Sequence, residues 1–204
     1  MATLFVYSKS KNDFYTMESP LLDSHVHMAW TDEGFLNAAE QLCSRFELKP
    51  LRCFMPVQPC RSMEFSRHYG GLAGDFVLTA PCKNPIARQN EIRRWCVHSG
   101  LFSYVQPQYR TPTWIHAEVD IAPPASVFVP YPLLFPGNSG VYCFILQRCL
   151  NIVGFPCLMS GRFCQDTLSS LKRFRYNTGL SAEEWVDGMC WQKLAEAVKN
   201  VPQI

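Results

Sequence analysis

Two histidines and one aspartate in this sequence have the residue types of a metal-binding group. His68 and Asp75 lie in the segment Ser66–Asp75, and His116 follows in Trp114-Ile115-His116. Two imidazoles and one carboxylate are suitable ligands for Zn²⁺, and three protein ligands leave a fourth coordination position for water. That ligand count is typical of a catalytic zinc site and not of a structural one. The sequence therefore predicts that His68, Asp75 and His116 bind zinc.

Most of the residues between the first two ligands are small. They are Gly70, Gly71, Ala73 and Gly74. Because small residues let the backbone bend tightly and approach its neighbours closely, the side chains of His68 and Asp75 can converge. The pattern Ser-x-His-x-x-Gly-x-Ala-x-Asp is therefore more specific for a metal site than an isolated histidine or aspartate.

The elements expected around these residues mix helices and strands. Helical patterns cover Glu33–Phe46 and Pro85–Ser99, and strand patterns cover Leu4–Tyr7, Phe76–Leu78 and Trp114–Val119. The last of these strands carries His116. Because the order shows no regular βαβ repeat, an α+β domain is expected.

A proline-rich passage, 123–136, follows this domain and predicts an extended linker. Beyond it, helical patterns cover Gly140–Gly154, Gln165–Asn177 and Gly188–Val198, separated by loops that contain glycine. Three short helices of this kind predict a small bundle. The predicted organisation is a first domain over 1–122, a linker over 123–136 and a second domain over 137–204.

The first domain resembles a known family of zinc enzymes. Ser66–Asp75, Tyr104-Val105-Gln106-Pro107 and Pro112–His116 are similar to segments of the zinc D-alanyl-D-alanine carboxypeptidases and endopeptidases, which cleave bacterial cell-wall peptides. The Hedgehog signalling domain shares their fold. The resemblance implies an α+β zinc peptidase domain with His68, Asp75 and His116 as the zinc ligands. It is greatest to a Gram-positive subgroup that usually carries a peptidoglycan-binding domain after the peptidase.

The second domain resembles that bacterial peptidoglycan-binding domain. The similar positions are Gly140-Val141-Tyr142, Leu146-Gln147, Leu150, Thr167, Phe174, Gly179-Leu180, Asp187-Gly188 and Trp191. In one departure, Ser160-Gly161 stands where the family commonly has Asp-Gly. The resemblance implies a small all-α domain of three helices that binds peptidoglycan.

The resemblance leaves the catalytic base open. Relatives often have an acid where this chain has Thr113, and the subgroup tends to have Glu where it has Gln106; neither side chain titrates. Glu118 shares a strand face with His116. It is the best remaining carboxylate, either as the general base or as a partner that orients a zinc-bound imidazole. Asp120 is the second choice for the base.

Arg67 and Tyr69, on either side of the first ligand, are the candidate substrate-binding residues. The guanidinium of Arg67 is suited to bidentate binding of a substrate carboxylate, although a structural salt bridge is the alternative. Tyr69 is expected to line the site. Relatives often have a substrate-facing arginine before the first zinc motif, and Arg52 and Arg61 are both candidates for that position.

Composition excludes several classes of protein. Hydrophobic residues make up 48% of the chain and charged residues 18%, which suits folded domains better than disorder. The net charge of +2 without a basic run gives no sign of nucleic-acid binding. No membrane span and no secretory signal are expected. We therefore expect synthesis in the cytoplasm without a signal peptide and action at the bacterial cell wall after release by another route.

The ten cysteines include no Cys-x-x-Cys pair. They are expected to be reduced, buried thiols. Cys53 with Cys60, or Cys157 with Cys164, are candidate disulfides if the protein functions outside the cell.

Two functions fit these observations. One is a zinc peptidase that cleaves peptidoglycan stem peptides, as a D,D-carboxypeptidase or an endopeptidase, held at the wall by its second domain. The other is a zinc-containing wall-binding protein that lacks the catalytic base. A purely structural interaction protein would need neither the metal nor the wall ligand.

Overall fold

The computed structural model of the chain describes residues 3–19, 28–53, 66–126 and 129–201. Within these ranges the chain forms five α-helices and two small β-sheets, which confirms the predicted α+β class. The chain divides into two compact units. Unit 1 consists of Met1–Tyr7, Tyr15–Pro56 and Arg67–Ile121, and unit 2 consists of Ser8–Phe14, Val57–Ser66 and Ala122–Ile204.

The two sheets differ in strand direction. The first has the order β2-β1-β3, with β1 parallel to β3, and the second has the order β4-β5-β7-β6 with antiparallel neighbours. The predicted strands near the amino terminus, after Asp75 and around His116 are confirmed as β1, β5 and β7. The strands are β1 (Thr3–Ser8), β2 (Asp13–Met17), β3 (Met28–Asp32), β4 (Leu48–Cys53), β5 (Ala73–Leu78), β6 (Tyr104–Val105) and β7 (Ile115–Glu118).

The helices of unit 1 begin and end where the sequence predicts. The first, α1 (Glu33–Phe46), is capped by the Asp32 carboxylate, which accepts a hydrogen bond from the Gly34 amide. The second, α2 (Pro85–Ser99), has proline in its first turn and ends at Gly100, whose φ of 70° is left-handed. α1 packs against β3, β4 and β5, whereas α2 packs against β6 and β7.

Unit 2 contains the other three helices, close to the predicted positions. They are α3 (Val141–Ile152), α4 (Gln165–Asn177) and α5 (Gly188–Lys199), and α3 packs against both α4 and α5. None of the helices within the described ranges is both long and apolar enough to cross a membrane.

The proline-rich passage 123–136 is not a separate linker, because it belongs to unit 2. Val129 and Tyr131 are completely buried, and the indole Nε1 of Trp191 donates a hydrogen bond to the Pro132 carbonyl oxygen at 2.8 Å. The prolines limit regular structure, but the apolar residues between them pack into the core of the unit. The last and longest segment of unit 2 therefore begins at Ala122 and not at 137, and the unit also includes Ser8–Phe14 and Val57–Ser66.

No disulfide links the nine cysteines in the described part of the chain to one another, and five of them are buried. Cys157 and Cys164, one of the candidate disulfide pairs, are not bridged. Cys60 lies outside the described residues, so its pairing with Cys53 stays a prediction.

Candidate metal centre

His68 lies in a tight turn that precedes β5. Within it, the Gly70 amide donates to the Arg67 carbonyl oxygen at 3.1 Å, and the Gly71 amide donates to the His68 carbonyl oxygen at 3.0 Å. Gly71 has a φ of 66°, and a Cβ there would lie 1.8 Å from the Trp30 carbonyl oxygen. This position therefore requires glycine for both its backbone conformation and its close approach to β3.

Strand β3 holds this turn through two side chains. The Trp30 indole Nε1 donates to the Tyr69 carbonyl oxygen at 3.0 Å, and the Thr31 hydroxyl donates to the Gly71 carbonyl oxygen at 2.6 Å. Both side chains are buried. These contacts fix the turn on both sides of Gly70 and so restrict where the His68 imidazole can lie.

The other two predicted ligands lie opposite each other on adjacent strands. Asp75 of β5 pairs directly with His116 of β7, and Glu118 follows on the same face of β7. Antiparallel pairing brings directly opposed side chains close together, so this register accounts for the convergence of the carboxylate and the second imidazole. Asp75 is 5% exposed and His116 is 9% exposed.

Three ligand atoms form a compact triangle. His116 Nδ1 lies 2.8 Å from Asp75 Oδ1 and 3.2 Å from His68 Nε2, and His68 Nε2 lies 3.6 Å from Asp75 Oδ1. Ligand atoms about 2.0–2.1 Å from a tetrahedral zinc ion are separated by roughly 3.3 Å. The described residues therefore fit a zinc ion in both ligand type and spacing.

The second nitrogen of His116 is held by Glu118, and Glu118 is held by Arg67. Glu118 Oε1 lies 2.8 Å from His116 Nε2, and its Oε2 lies 3.2 Å from Arg67 Nε. Arg67 also forms an ion pair with Asp120. The carboxylate of Glu118 thus fixes the imidazole so that Nδ1 faces His68 and Asp75, which is how outer carboxylates orient metal-binding histidines.

The environment of His116 strongly favours its protonated form when no metal is bound. Burial lowers its pKa, but hydrogen bonds and charge interactions with Asp75 and Glu118 outweigh that effect and raise the pKa to about 9. A site that stabilises a cation between two carboxylates in this way is also suited to a metal cation, which must displace the proton.

The segment before β7 is held by Arg93 of α2, which the sequence reasoning missed. Its Nη2 donates to the carbonyl oxygens of Thr111 and Trp114 at 2.6 and 2.7 Å, and its Nε donates to the Gln106 carbonyl oxygen at 3.2 Å. The sequence did contain a signal for this role: Arg93 lies on the same face of the helix as Ile92 and Cys96. An arginine on an apolar, core-facing side of a helix indicates a buried cation that needs acceptors.

The two predicted substrate-binding residues, Arg67 and Tyr69, lie on either side of His68. Arg67 is held by Glu118 and Asp120, which favours its structural salt-bridge alternative. Tyr69 is half-buried in the turn, and its carbonyl oxygen accepts the Trp30 bond.

Neither Thr113 nor Gln106 supplies an acid to the centre. Thr113 is exposed, and Gln106 contacts His116 through its backbone amide, which donates to the His116 carbonyl oxygen at 2.9 Å. Arg52 lies opposite Asp75 in the pairing of β4 with β5, whereas Arg61 lies outside the described residues.

Comparison of the chain with protein-family models, curated proteins and solved structures gives no match. Two imidazole nitrogens and one carboxylate oxygen, with a second carboxylate behind one imidazole, can bind a divalent metal ion with an open coordination position.

Proposed function

We propose that this protein is a zinc-dependent peptidase that acts on peptidoglycan stem peptides, as a D,D-carboxypeptidase or an endopeptidase. The proposal rests on the convergence of His68 Nε2, Asp75 Oδ1 and His116 Nδ1, which all lie within 4.8 Å of one another. Three such ligands leave a coordination position for water or substrate, and the resemblance of the Ser66–Asp75 and Pro112–His116 segments supports the peptide substrate.

The protein contributes the ligands and their orientation. A bound zinc ion would polarise the scissile carbonyl and lower the pKa of its water towards neutrality. Glu118 holds His116 with Nδ1 towards the other ligands, and Arg67 holds Glu118 in turn. Because His116 must lose its proton to bind metal, the site loads more readily as the pH rises.

The wall as the site of action is supported by the second half of the chain. Its three helical segments resemble the peptidoglycan-binding domain, and a wall-bound module would raise the local concentration of stem peptides around the metal centre. We propose that the glycan and peptide of the cell wall are the partners of the chain and that it acts there after release from the cell.

The contacts of Glu118 favour a second candidate function. This carboxylate already pairs with both His116 and Arg67, so it is better placed to orient the imidazole than to take a proton from water. Thr113 and Gln106 cannot serve as the base. A zinc-containing protein that binds peptidoglycan without cleaving it is therefore the alternative.

One experiment separates the two candidates. Zinc-loaded protein is incubated with purified sacculi, the soluble fraction is analysed for released peptides by mass spectrometry, and the pellet is analysed for bound protein. A peptidase releases stem-peptide fragments that the His68→Ala variant does not release. Protein bound to the pellet with no released peptide supports the binding protein, and protein that neither binds nor cleaves contradicts both.

The wall-binding test uses the full chain. A fragment that begins at 137 would lack the buried Tyr131 and the Pro132 carbonyl that accepts the Trp191 bond. It would also lack Phe14, whose ring lies 5.2 Å from that of Phe144. Loss of binding by such a fragment would therefore not distinguish a missing ligand site from a damaged core.

A further inference from the structure

A groove on unit 1 lies between α2 and the segment that follows β6. Its volume is about 420 Å³, within the range of small-molecule sites. Val97 of α2, Val105 of β6 and Pro107 provide apolar surface, and the Val97 side chain is 61% exposed. The groove therefore offers an apolar wall that is open to a ligand.

The groove and the metal centre lie on opposite faces of the second sheet. The Tyr104 ring lies 6.5 Å from the His116 ring, so Tyr104 is on the face of the metal centre. Successive strand residues point to opposite faces, and Val105 accordingly lines the groove beside α2. A ligand in the groove would not occupy the coordination position of the metal centre.

The charge of the groove is entirely basic. Arg93, Arg94 and His98 contribute to its lining, and none of the lining residues, all of which the structure describes, is acidic. The Nδ1 of His98 donates to the Arg94 carbonyl oxygen at 2.6 Å, which leaves Nε2 as the ring nitrogen available to a ligand. The groove thus suits an anion.

Arg93 is the strongest indication of a missing anionic partner. It is only 7% exposed, its Nη1 has no hydrogen-bond partner among the described residues, and it pairs with no carboxylate in that part of the chain. Burial lowers the pKa of its guanidinium. A buried cation without a counter-charge is costly, and a bound anion reduces that cost.

Arg175 of unit 2 is a buried arginine whose three guanidinium nitrogens all have partners, so it can be compared with Arg93. It is 1% exposed, and its three nitrogens contact the carbonyl oxygens of Ser181 and Trp185 and the hydroxyl of Ser181. Its Nη2 also lies 3.7 Å from the carboxylate of Asp187. Arg93 has comparable contacts with carbonyl oxygens but lacks the carboxylate.

We propose that this groove binds the free carboxylate end of a short peptide with small apolar side chains. The exposed side chains of Arg94 and His98 contact the carboxylate, the charge of the buried Arg93 guanidinium attracts it, and Val97, Val105 and Pro107 contact the side chains. Inorganic phosphate could accept hydrogen bonds from the side-chain amides of Asn90, Gln106 and Gln108, which also line the groove. It fits less well than an apolar carboxylate, because it gains nothing from contact with the apolar wall. This site is separate from the metal centre and does not depend on zinc.

The test is a methyl NMR titration with N-acetyl-alanyl-alanine, its C-terminal amide and inorganic phosphate. The His68→Ala variant serves as the parent, so that the metal centre cannot bind the peptide through zinc. The free acid should shift the methyl resonances of Val97 and Val105 to saturation, and the amide and phosphate should not. Because His68→Ala also removes the proposed activity, the result does not depend on the proposed function.

Two variants sharpen the titration. Arg94 is exposed, so Arg94→Gln should fold normally and weaken binding of the acid by about tenfold, as expected for loss of one charged hydrogen bond. Arg88→Gln is the matched control, because Arg88 lies on the same helix, pairs with Glu91 and does not line the groove. The proposal is overturned by absent shifts, by equal binding of the amide or phosphate, or by equal affinities of the two variants.

Discussion

Buried polar side chains serve different purposes in the two units. In unit 1, His116 lies between the carboxylates of Asp75 and Glu118, so that titratable side chains face one another. In unit 2, Gln147 and Arg175 instead contact backbone groups and hydroxyl groups, and Arg175 also lies 3.7 Å from the carboxylate of Asp187. Gln147 donates to the Arg162 carbonyl oxygen at 2.8 Å and accepts from the Gly161 amide at 2.8 Å.

This difference separates a candidate site from a structural network. Bonds to the backbone have fixed partners, and they hold the loops around α3 and α4 in one conformation. Side chains that face one another can instead exchange a shared proton for a metal ion without unfolding the backbone. Convergence of titratable groups is therefore a better guide to function here than burial of polar groups alone.

The largest expected effect is on metal binding in unit 1. The parent protein should retain about one zinc ion per chain after gel filtration, and His68→Ala should retain none, because two ligands rarely hold zinc. His98→Ala, which removes an exposed histidine outside the centre, is the control and should keep its zinc. Full occupancy in His68→Ala, measured by elemental analysis, would show that the ligand assignment is wrong.

The next effect is on the stability of unit 2. Arg175→Ala should lower the free energy of unfolding by about 3–5 kcal/mol, because it removes a buried side chain and leaves the carbonyl oxygens of Ser181 and Trp185 and the Asp187 carboxylate without their guanidinium partner. Zinc content should be unchanged. Lys172→Ala is the control on the same helix: its exposed ion pair with Glu184 should contribute less than about 1 kcal/mol. If urea denaturation showed that Arg175→Ala and Lys172→Ala lose the same unfolding free energy, the structural role of Arg175 would be contradicted.

Local sequence signals account for what could be predicted. Asp32 at a helix start, Pro85 in a first turn and Gly100 at a helix end act within a few residues of themselves, so the bounds of α1 and α2 were accessible. The candidate ligands His68 and Asp75 were similarly marked by the small residues between them. Because side chains alternate between the two sides of a strand, Glu118 could be placed on the same side as His116.

Long-range contacts account for what could not be predicted. Trp30 holds the carbonyl oxygen of Tyr69, and Arg93 holds those of Thr111 and Trp114, but a backbone acceptor leaves no residue type in the sequence to indicate the pairing. The burial of Tyr131 was missed for a related reason. Proline content predicts extended backbone but not whether that backbone packs against a core.

The pH dependence of the stability of the metal-free protein tests whether His116 is protonated. Its folded pKa of about 9 lies above its ordinary value of 6.5, so protonation stabilises the folded state fully below pH 6.5, and this stabilisation is lost as the pH rises through 9. We expect a loss of about 2 kcal/mol, since partial solvent screening reduces the full effect.

The matching measurement is zinc affinity over the same range. Because one proton leaves His116, the apparent affinity should rise by about tenfold per pH unit between roughly pH 7 and 9. Chelator-treated protein is unfolded in urea at each pH, and zinc affinity is measured by competition with a chromogenic chelator. An affinity that does not change with pH would show that His116 is not protonated in the metal-free site.

The smallest expected effect concerns the role of Glu118. If it orients His116, Glu118→Gln should weaken zinc binding by about 10–100-fold, and turnover should recover when zinc is saturating. If it is the general base, zinc affinity should be unchanged and turnover should fall by about 10²–10⁴-fold at any zinc concentration. The contacts with His116 Nε2 and Arg67 lead us to expect the first result. Glu91→Gln is the control, because Glu91 is an exposed carboxylate that pairs with Arg88 on α2, away from the metal centre; the opposite pattern in Glu118→Gln would assign the base to Glu118.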